Sequence, residues 1–331
     1  MQDCRSGISK TDSVSVDAGR LREVYFAKRG DAMDTRKCQV LLKVLECGSM
    51  AGAAEVFGYD PSGISRMIAS MERETGFALL VRGKNGISLT KGGERLLPVI
   101  QELAHFGGVY EKTASQVLGV EEGSVLIGSA FYGLYPWLTR VIAGFSERYP
   151  NVDIRIIDSY STSLVSDLVN HKVDVAIISE REGDFRWIPL IEDELVAVLP
   201  HGHRLAEMKA VPAKELEKEP FIEFLPGEVS DTSLYFEQAG VTPHSQYCQN
   251  DIFASCALVE AGLGVTVDNA VLVKTTNADV VMRPLVPRCV VPIGLALPRR
   301  TEMSPAAIRF EEYVLSHLDG LEALGTCFSS F

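Results

Sequence analysis

Residues 48–76 constrain this chain more than any other stretch, because they spell two short helices back to back with a tight turn between them. The run is Gly48-Ser49-Met50-Ala51-Gly52-Ala53-Ala54, then Asp60-Pro61-Ser62-Gly63-Ile64-Ser65-Arg66-Met67-Ile68, closing with Glu72-Arg73-Glu74-Thr75-Gly76. Ser49 is placed to cap the first helix, whose small face at Ala53 and Ala54 lets another helix approach closely, and Gly58 ends it. Asp60 caps the second helix, and Pro61 sits at its first position, where a missing N–H is harmless. Ile64, Met67, Ile68 and Met71 form a buried stripe at 3–4 spacing, which leaves Ser62, Ser65, Arg66 and Arg73 on other faces. A helix, a tight turn and a second helix with small polar and basic residues in its first turns is the layout of a helix-turn-helix DNA reader.

Acidity is at odds with that expectation only until it is divided along the chain. The formal net charge is −12 over 331 residues. Residues 33–95 hold 9 Lys/Arg against 7 Asp/Glu, whereas residues 96–331 hold 17 against 32. The reading head is therefore the positive segment, and its excess is small enough that duplex affinity needs two or more heads acting together. No run approaches the ~18 consecutive apolar residues of a membrane span, and the N-terminus lacks the basic-then-apolar layout of a signal peptide. Seven cysteines show neither C-x-x-C nor Cys/His spacing suited to zinc and read as reduced thiols of a cytoplasmic protein. No membrane, metal or cofactor is implied.

Val40, Leu41, Val44 and Leu45 mark a helix that packs behind the helix-turn-helix. The segment 76–93 supplies two short apolar strands around Gly83-Lys84-Asn85-Gly86, a wing, with Arg82 and Lys84 on it. Thr90 caps a long helix expected over 91–118, in which Leu96, Val99, Leu103, Phe106, Tyr110, Thr113 and Val117 recur at alternating 3 and 4 spacing. That is the seam of a paired helix, although the same stripe could pack on its own domain. Pro98 and Gly107-Gly108 weaken this helix. Two readings stand for residues 1–32. They are a disordered extension, or they precede a true start at Met33, since Lys28-Arg29-Gly30 can be encoded by a purine-rich stretch resembling a ribosome-binding site.

From Gly123 onward strands and helices alternate. Strands are expected at 125–128, 152–157, 173–178, 195–199, 221–224, 247–249, 265–267 and 291–297, with helices at 134–149, 163–171, 232–238, 253–261 and 305–318. Near-continuous Val/Ile/Leu strands between helices predict a parallel sheet covered on both faces. Gly262-Leu263-Gly264 lacks a third glycine and follows a helix, so it reads as a helix stop before a strand and not as a dinucleotide loop.

The helix-turn-helix residues resemble the LysR-type transcriptional regulators of bacteria, and the resemblance runs from Met33 to about Leu318. Its strongest carriers are Gly48-Ser49…Ala53-Ala54…Ile64-Ser65-Arg66 and the wing run Leu79-Leu80-Val81-Arg82…Ile87-Ser88-Leu89-Thr90-Lys91-Gly92-Gly93. Weaker ones are Asp174-Val175-Ala176-Ile177-Ile178, Ala261-Gly262-Leu263-Gly264-Val265, and Ala296-Leu297-Pro298-Arg299-Arg300…Ser304-Pro305-Ala306. The resemblance implies an α/β fold class with an N-terminal winged helix-turn-helix and a two-lobed, doubly wound effector domain similar to periplasmic solute-binding proteins. The domains would be 33–92 for the reading head, 93–120 for the dimerisation helix and 121–320 for the effector domain, with a tail at 321–331. Lobe I would comprise 121–200 and 290–320 and lobe II 201–289, with crossovers near Pro200 and Val290. Two departures stand out. Pro61 occupies a position where the family usually has glutamine, and Val267-Asp268-Asn269 stands where leucine–proline is frequent.

In open α/β lobes ligands bind outside the carboxyl ends of strands. Those ends offer Ser129 and Phe131, Ser161 and Thr162, Asn250 and Asp251, and Thr266. Small hydroxyls beside helix N-termini suit an anion, because first-turn N–H groups are unpaired there. Ser161 and Thr162 could instead simply cap the helix expected at 163. Cys248 and Cys256 flank a strand–helix turn and would serve either as a redox pair or as free thiols, while His201 and His203 read as loop or crossover residues.

The sequence thus predicts a cytoplasmic, LysR-like regulator whose partners are double-stranded DNA, a small organic effector (an anion or an amino acid-like acid), further copies of itself in a homodimer or homotetramer, and RNA polymerase. DNA contacts are assigned to Ser62, Ser65, Arg66, Arg82 and Lys84. Effector contacts are assigned to Ser129, Phe131, Ser161, Thr162, Asn250, Asp251 and Thr266. The rival is a two-lobed solute receptor or enzyme whose N-terminal segment serves only assembly, although no nucleophile–base pair, metal cluster or cofactor loop supports catalysis.

Overall fold

A computed structural model describes residues 34–83, 86–117, 123–318 and 321, the side chains of Arg82 and of residues 115–117 excepted. The leader 1–32, Lys84 and residues 322–331 lie outside the described residues. The chain divides into two compact units, 1–104 and 105–331.

The first unit opens with α1 (Thr35–Cys47), α2 (Met50–Phe57) and α3 (Pro61–Thr75). Each begins on a side-chain cap and ends on a left-handed glycine. Asp34, Ser49 and Asp60 accept from the N–H groups of Arg36, Gly52 and Gly63, and Gly48, Gly58 and Gly76 terminate the helices. Strands β1 (Leu80–Gly83) and β2 (Gly86–Leu89) pair antiparallel as the wing. Glu72 on α3 accepts from the N–H groups of Leu79 and Leu80 at 2.8 and 3.2 Å, which ties wing to helix. Lys37 on α1 pairs with Glu74 on α3 at 2.7 Å. The core joins Val40, Leu41 and Val44 to Ala53, Ala54, Ile64, Ile68, Met71 and Leu79.

Thr90 caps the long helix α4 (Lys91–Val117) by accepting from the Gly93 N–H at 3.0 Å. A Cβ at Gly93 would lie 2.4 Å from the Leu79 carbonyl oxygen, so only glycine lets this helix start against the wing. The helix runs unbroken through Pro98 and Gly107-Gly108. Its apolar stripe is divided. Ile100 and Ala104 are buried and Leu96 and Leu103 half-buried against the core of the first unit, whereas Val99, Phe106 and Tyr110 are 52%, 44% and 75% exposed. Two residues of the expected seam, Leu96 and Leu103, therefore pack on their own domain.

The second unit contains β3 (Gly123–Ser129), α5 (Tyr135–Arg148), β4 (Val152–Asp158), α6 (Ser161–Val169), β5 (Val175–Ser179), β6 (Arg186–Leu199), β7 (Val211–Pro212) and β8 (Phe221–Phe224). It continues with α7 (Asp231–Ala239), β9 (Ser245–Gln249), α8 (Ile252–Glu260), β10 (Thr266–Asn269), α9 (Ala270–Thr275), β11 (Val281–Val286), β12 (Val290–Leu297) and α10 (Pro305–Leu315). The main sheet runs β4-β3-β5-β12-β6-β11-β7, with β10 also on β6, and β8-β9 pair separately.

Here the structure corrects the expectation of a parallel sheet. The β3–β4, β3–β5 and β8–β9 pairs are parallel, but β12 runs antiparallel to β5 and β6, and β10 and β11 run antiparallel to β6. The first crossover lies within β6. Strand β6 pairs with β12 from Arg186 to Glu194 and with β10 from Leu195 to Val198, so the chain passes between lobes near Leu195, a few residues before Pro200. Arg186 is held from the far side by a two-pronged ion pair to Glu311 on α10, at 2.7 and 3.0 Å. Gly262 ends α8 in the left-handed region, and a Cβ at Gly264 would meet the Pro220 carbonyl oxygen at 2.5 Å. The Gly-x-Gly is thus a helix stop before a strand, as the sequence suggests, and its second glycine also permits a close backbone approach.

Candidate functional site

In the reading head, burial of Ile64, Ile68 and Met71 turns the opposite face of α3 outward, with Ser62 and Arg66 exposed and Ser65 half-exposed. The Ser62 hydroxyl donates to Asp60, and Arg66 Nε donates to the Ser62 carbonyl oxygen at 3.3 Å. The Ser62 hydroxyl and the Gly63 N–H hold the Asp60 carboxyl below the ordinary carboxylate range, so this cap stays ionised. Pro61 lies exposed at the first helical position without a side-chain donor. Arg82 stands on β1, its side chain outside the described residues, as is Lys84 entirely.

In the second unit, a cavity of about 70 Å³ lies where strand ends of the two lobes converge. Ala130 and Phe131 follow β3, Ser159 and Tyr160 follow β4, Ser161 opens α6, and Arg181 follows β5. The other lobe contributes Phe224 and Leu225 at and after the end of β8, Ser230–Thr232 at the start of α7, Asn250 and Asp251 after β9, and Asp268 and Asn269 on β10. Three bonds close the lobes over it. Tyr160 Oη donates to the Asn250 carbonyl oxygen at 2.7 Å, Thr162 Oγ1 to that of Val229 at 2.7 Å, and Arg181 pairs with Asp231 at 2.6 Å.

Of the residues expected to touch an effector, Phe131, Ser161, Asn250 and Asp251 line the cavity. Three do not. Ser129 is fully buried beneath it and accepts from the Phe131 N–H at 3.3 Å. Thr162 is committed to Val229. Thr266 donates to the Ile222 carbonyl oxygen at 2.8 Å, because β10 runs on to Asn269 and its true carboxyl end is Asp268-Asn269. Ser161 and Thr162 do not cap a later helix either, since α6 already begins at Ser161, whose Oγ accepts from the Ser179 N–H and hydroxyl. Asp251 caps α8 through the Ala254 N–H at 3.0 Å.

Sequence reasoning missed Arg181, Asp231 and Asp268. Arg181 and Asp231 are 50 positions apart and meet only because the lobes close. Asp268 is 2% exposed, and burial pushes its carboxyl up to about 7 from an ordinary 3.8. Neighbouring Asp193, on β6, is pushed up to about 6 by the same cause. Cys248 is exposed and Cys256 buried, and burial drives the Cys256 thiol to about 11, a protonated and unreactive state at neutral pH. His201 pairs with Asp279 at 2.8 Å and His203 with Glu219 at 3.2 Å. Among the described residues, no group of three or more His, Cys, Asp or Glu could hold a metal ion, and no helix is long and apolar enough to cross a membrane.

Comparison with known proteins agrees with this architecture. Residues 35–94 match the family described as "Bacterial regulatory helix-turn-helix protein, lysR family" and residues 119–319 match "LysR substrate binding domain". The transcriptional dual regulator GltC of Bacillus subtilis is 28% identical over 300 residues, covering 88% of this chain and 99% of GltC. The uncharacterized regulator YvbU of the same organism is 27% identical over 283 residues, covering 85% and 97%. Among solved structures, full-length OxyR from Pseudomonas aeruginosa superposes with a TM-score of 0.67 at 18% identity, covering 87% of this chain and 95% of OxyR. CbnR complexed with its target DNA gives 0.56 at 20% identity, covering 86% and 100%. With a capped helix-turn-helix and wing in the first unit, a two-lobed α/β second unit, and family matches over both, the chain belongs to the LysR family: it is a DNA-binding transcriptional regulator with an effector-binding domain.

Proposed function

We propose that this regulator reads operator DNA with Ser62, Ser65 and Arg66 in the major groove, while Arg82 and Lys84 of the wing grip the phosphate backbone. The observation that supports it is the outward face of α3, where Arg66 stands exposed opposite a buried Ile64-Ile68-Met71 stripe. Arginine suits either guanine O6/N7 or a phosphate. Pro61 removes the side-chain donor that glutamine would offer, so base recognition rests more heavily on Arg66. The protein acts in the cytoplasm as a homodimer or homotetramer, and it regulates by contacting RNA polymerase at its promoters.

The effector is a small organic anion or amino acid-like acid held in the cavity between the lobes by Phe131, Ser161, Asn250 and Asp251, joined by Arg181. Its binding shifts the balance between arrangements of the heads, since a ligand biases only states for which its affinities differ. Gel-shift titration against the DNA upstream of its own gene tests the head. Arg66→Ala should weaken specific binding by roughly 1–3 kcal/mol if it reads a base, and wild-type affinity in that variant would remove Arg66 from the interface.

A further inference from the structure

Asp268 is a buried acid with one oxygen unused. Its Oδ1 accepts from the Asn269 N–H at 2.8 Å, while Oδ2 has no hydrogen-bond partner among the described residues. The side chain lines the cavity and is almost fully removed from solvent. The charges facing it do not relieve it. Asp231, at the start of α7, and Asp193, on β6, are both acidic. Arg181, across the cleft, is already engaged by Asp231 at 2.6 Å and by the Glu180 carbonyl oxygen at 2.8 Å, and Lys274, on α9, acts on Asp193. A buried carboxyl with an open lone pair is costly unless something supplies a donor, and among three acids a cationic donor is bound best.

Resting on the reading of this cavity as the effector site, we infer that the effector carries a protonated primary amine that docks on Asp268 Oδ2. The other end of the ligand is constrained as well. Arg181 lines the same cavity, and its Nε, buried and without an acceptor, is a donor for a carboxylate. The volume of about 70 Å³ holds roughly five to seven water-sized groups. Those three features together describe a small zwitterionic amino acid.

Proton linkage gives a signature that shape alone does not. With its carboxyl raised to about 7, Asp268 is protonated in the empty site below neutrality, and an ammonium ion must displace that proton. Affinity for an amine should therefore fall about tenfold between about pH 8 and pH 6, while the ligand's own amine stays charged throughout.

The test uses the full chain and three probe pairs, each an amino acid with its deaminated acid: glycine with acetate, alanine with propionate, and serine with 3-hydroxypropionate. Calorimetry at about pH 8 should find at least one amino acid bound about tenfold or more tightly than its partner acid. Asp268→Asn, which keeps shape and loses charge, should level that preference and abolish the pH dependence. If no amino acid outbinds its partner, or if Asp268→Asn discriminates as wild type does, the inference is overturned. Ala130→Trp, which fills the cavity, separates this from failure of the cavity itself. Binding that survives Ala130→Trp lies elsewhere and overturns both readings, whereas binding lost in Ala130→Trp but unchanged in Asp268→Asn overturns only the amine. The wild-type pH profile stands as a measurement that needs no variant to fold.

Discussion

Asp268 illustrates how a single side chain can lower stability in order to recognise something. Its folded-state carboxyl is raised from an ordinary 3.8 to about 7, so the native state holds a proton that the unfolded chain has already released. Wherever the native state binds more protons, stability falls as pH rises, and here the loss begins near pH 4 and is complete above about pH 7. A tenfold change in proton affinity is worth about 1.4 kcal/mol, so the loss has an upper limit of ~4 kcal/mol, from which an unpaired amide in the variant subtracts ~1–3 kcal/mol. Asp268→Asn should therefore stabilise the empty protein by about 1–3 kcal/mol near pH 8 and by nothing near pH 5. Urea melts at the two pH values decide it, and an equal effect at both would mean that Asp268 is not a buried acid in solution.

Helices in the reading head are legible in the sequence because each carries its own punctuation: a capping Asp34, Ser49 or Asp60 at one end and a left-handed glycine at the other. The second unit is harder for physical reasons. Arg186, Pro189, Glu192 and Asp193 disguise the first half of β6, because a strand shared between two lobes is not a continuous apolar run. Helix α9 follows β10 directly and Asn269 makes no side-chain cap bond, so Ala270–Thr275 carries no start signal of its own. The cavity itself is built by closure of strand ends far apart in sequence, and no spacing rule joins Arg181 to Asp231. Helix α4 shows a periodic stripe serving two surfaces. Leu103 is half-buried on the core of the first unit, while Val99, Phe106 and Tyr110 remain exposed. Those three are the exposed apolar residues of the seam, placed to pair with a second copy. Val99→Glu with Tyr110→Glu should shift the assembly toward monomer in light scattering while leaving the melting temperature nearly unchanged. Leu103→Glu should instead destabilise the first unit by about 2–5 kcal/mol, since it forces a charge against packed core. An unchanged oligomer in the double variant would exclude this face from the interface.

Considered as a whole, the regulator joins an effector cleft to a DNA-reading head, and the bonds that cross the cleft are placed to set how fast a ligand enters. Three lobe-to-lobe bonds cross a cavity of about 70 Å³, and where they gate entry, uptake should scale with the open fraction. Thr162 gives the cleanest handle on that fraction. Its hydroxyl bonds the Val229 carbonyl oxygen at 2.7 Å, yet it does not line the cavity, so changing it leaves the ligand's own contacts in place. Val229 is exposed, so water satisfies its carbonyl once the lobes separate. Thr162→Val keeps the shape and loses one net hydrogen bond of about 0.5–1.5 kcal/mol, which moves the closing equilibrium by about 2–10-fold. Stopped-flow mixing with the tightest-binding small amino acid should show association faster by about that factor and dissociation faster as well. Gel shifts should show a response displaced to higher ligand concentration. Rates identical to wild type would mean that the ligand reaches the cavity without the lobes parting, and that the Tyr160, Thr162 and Arg181 bridges do not act as its gate.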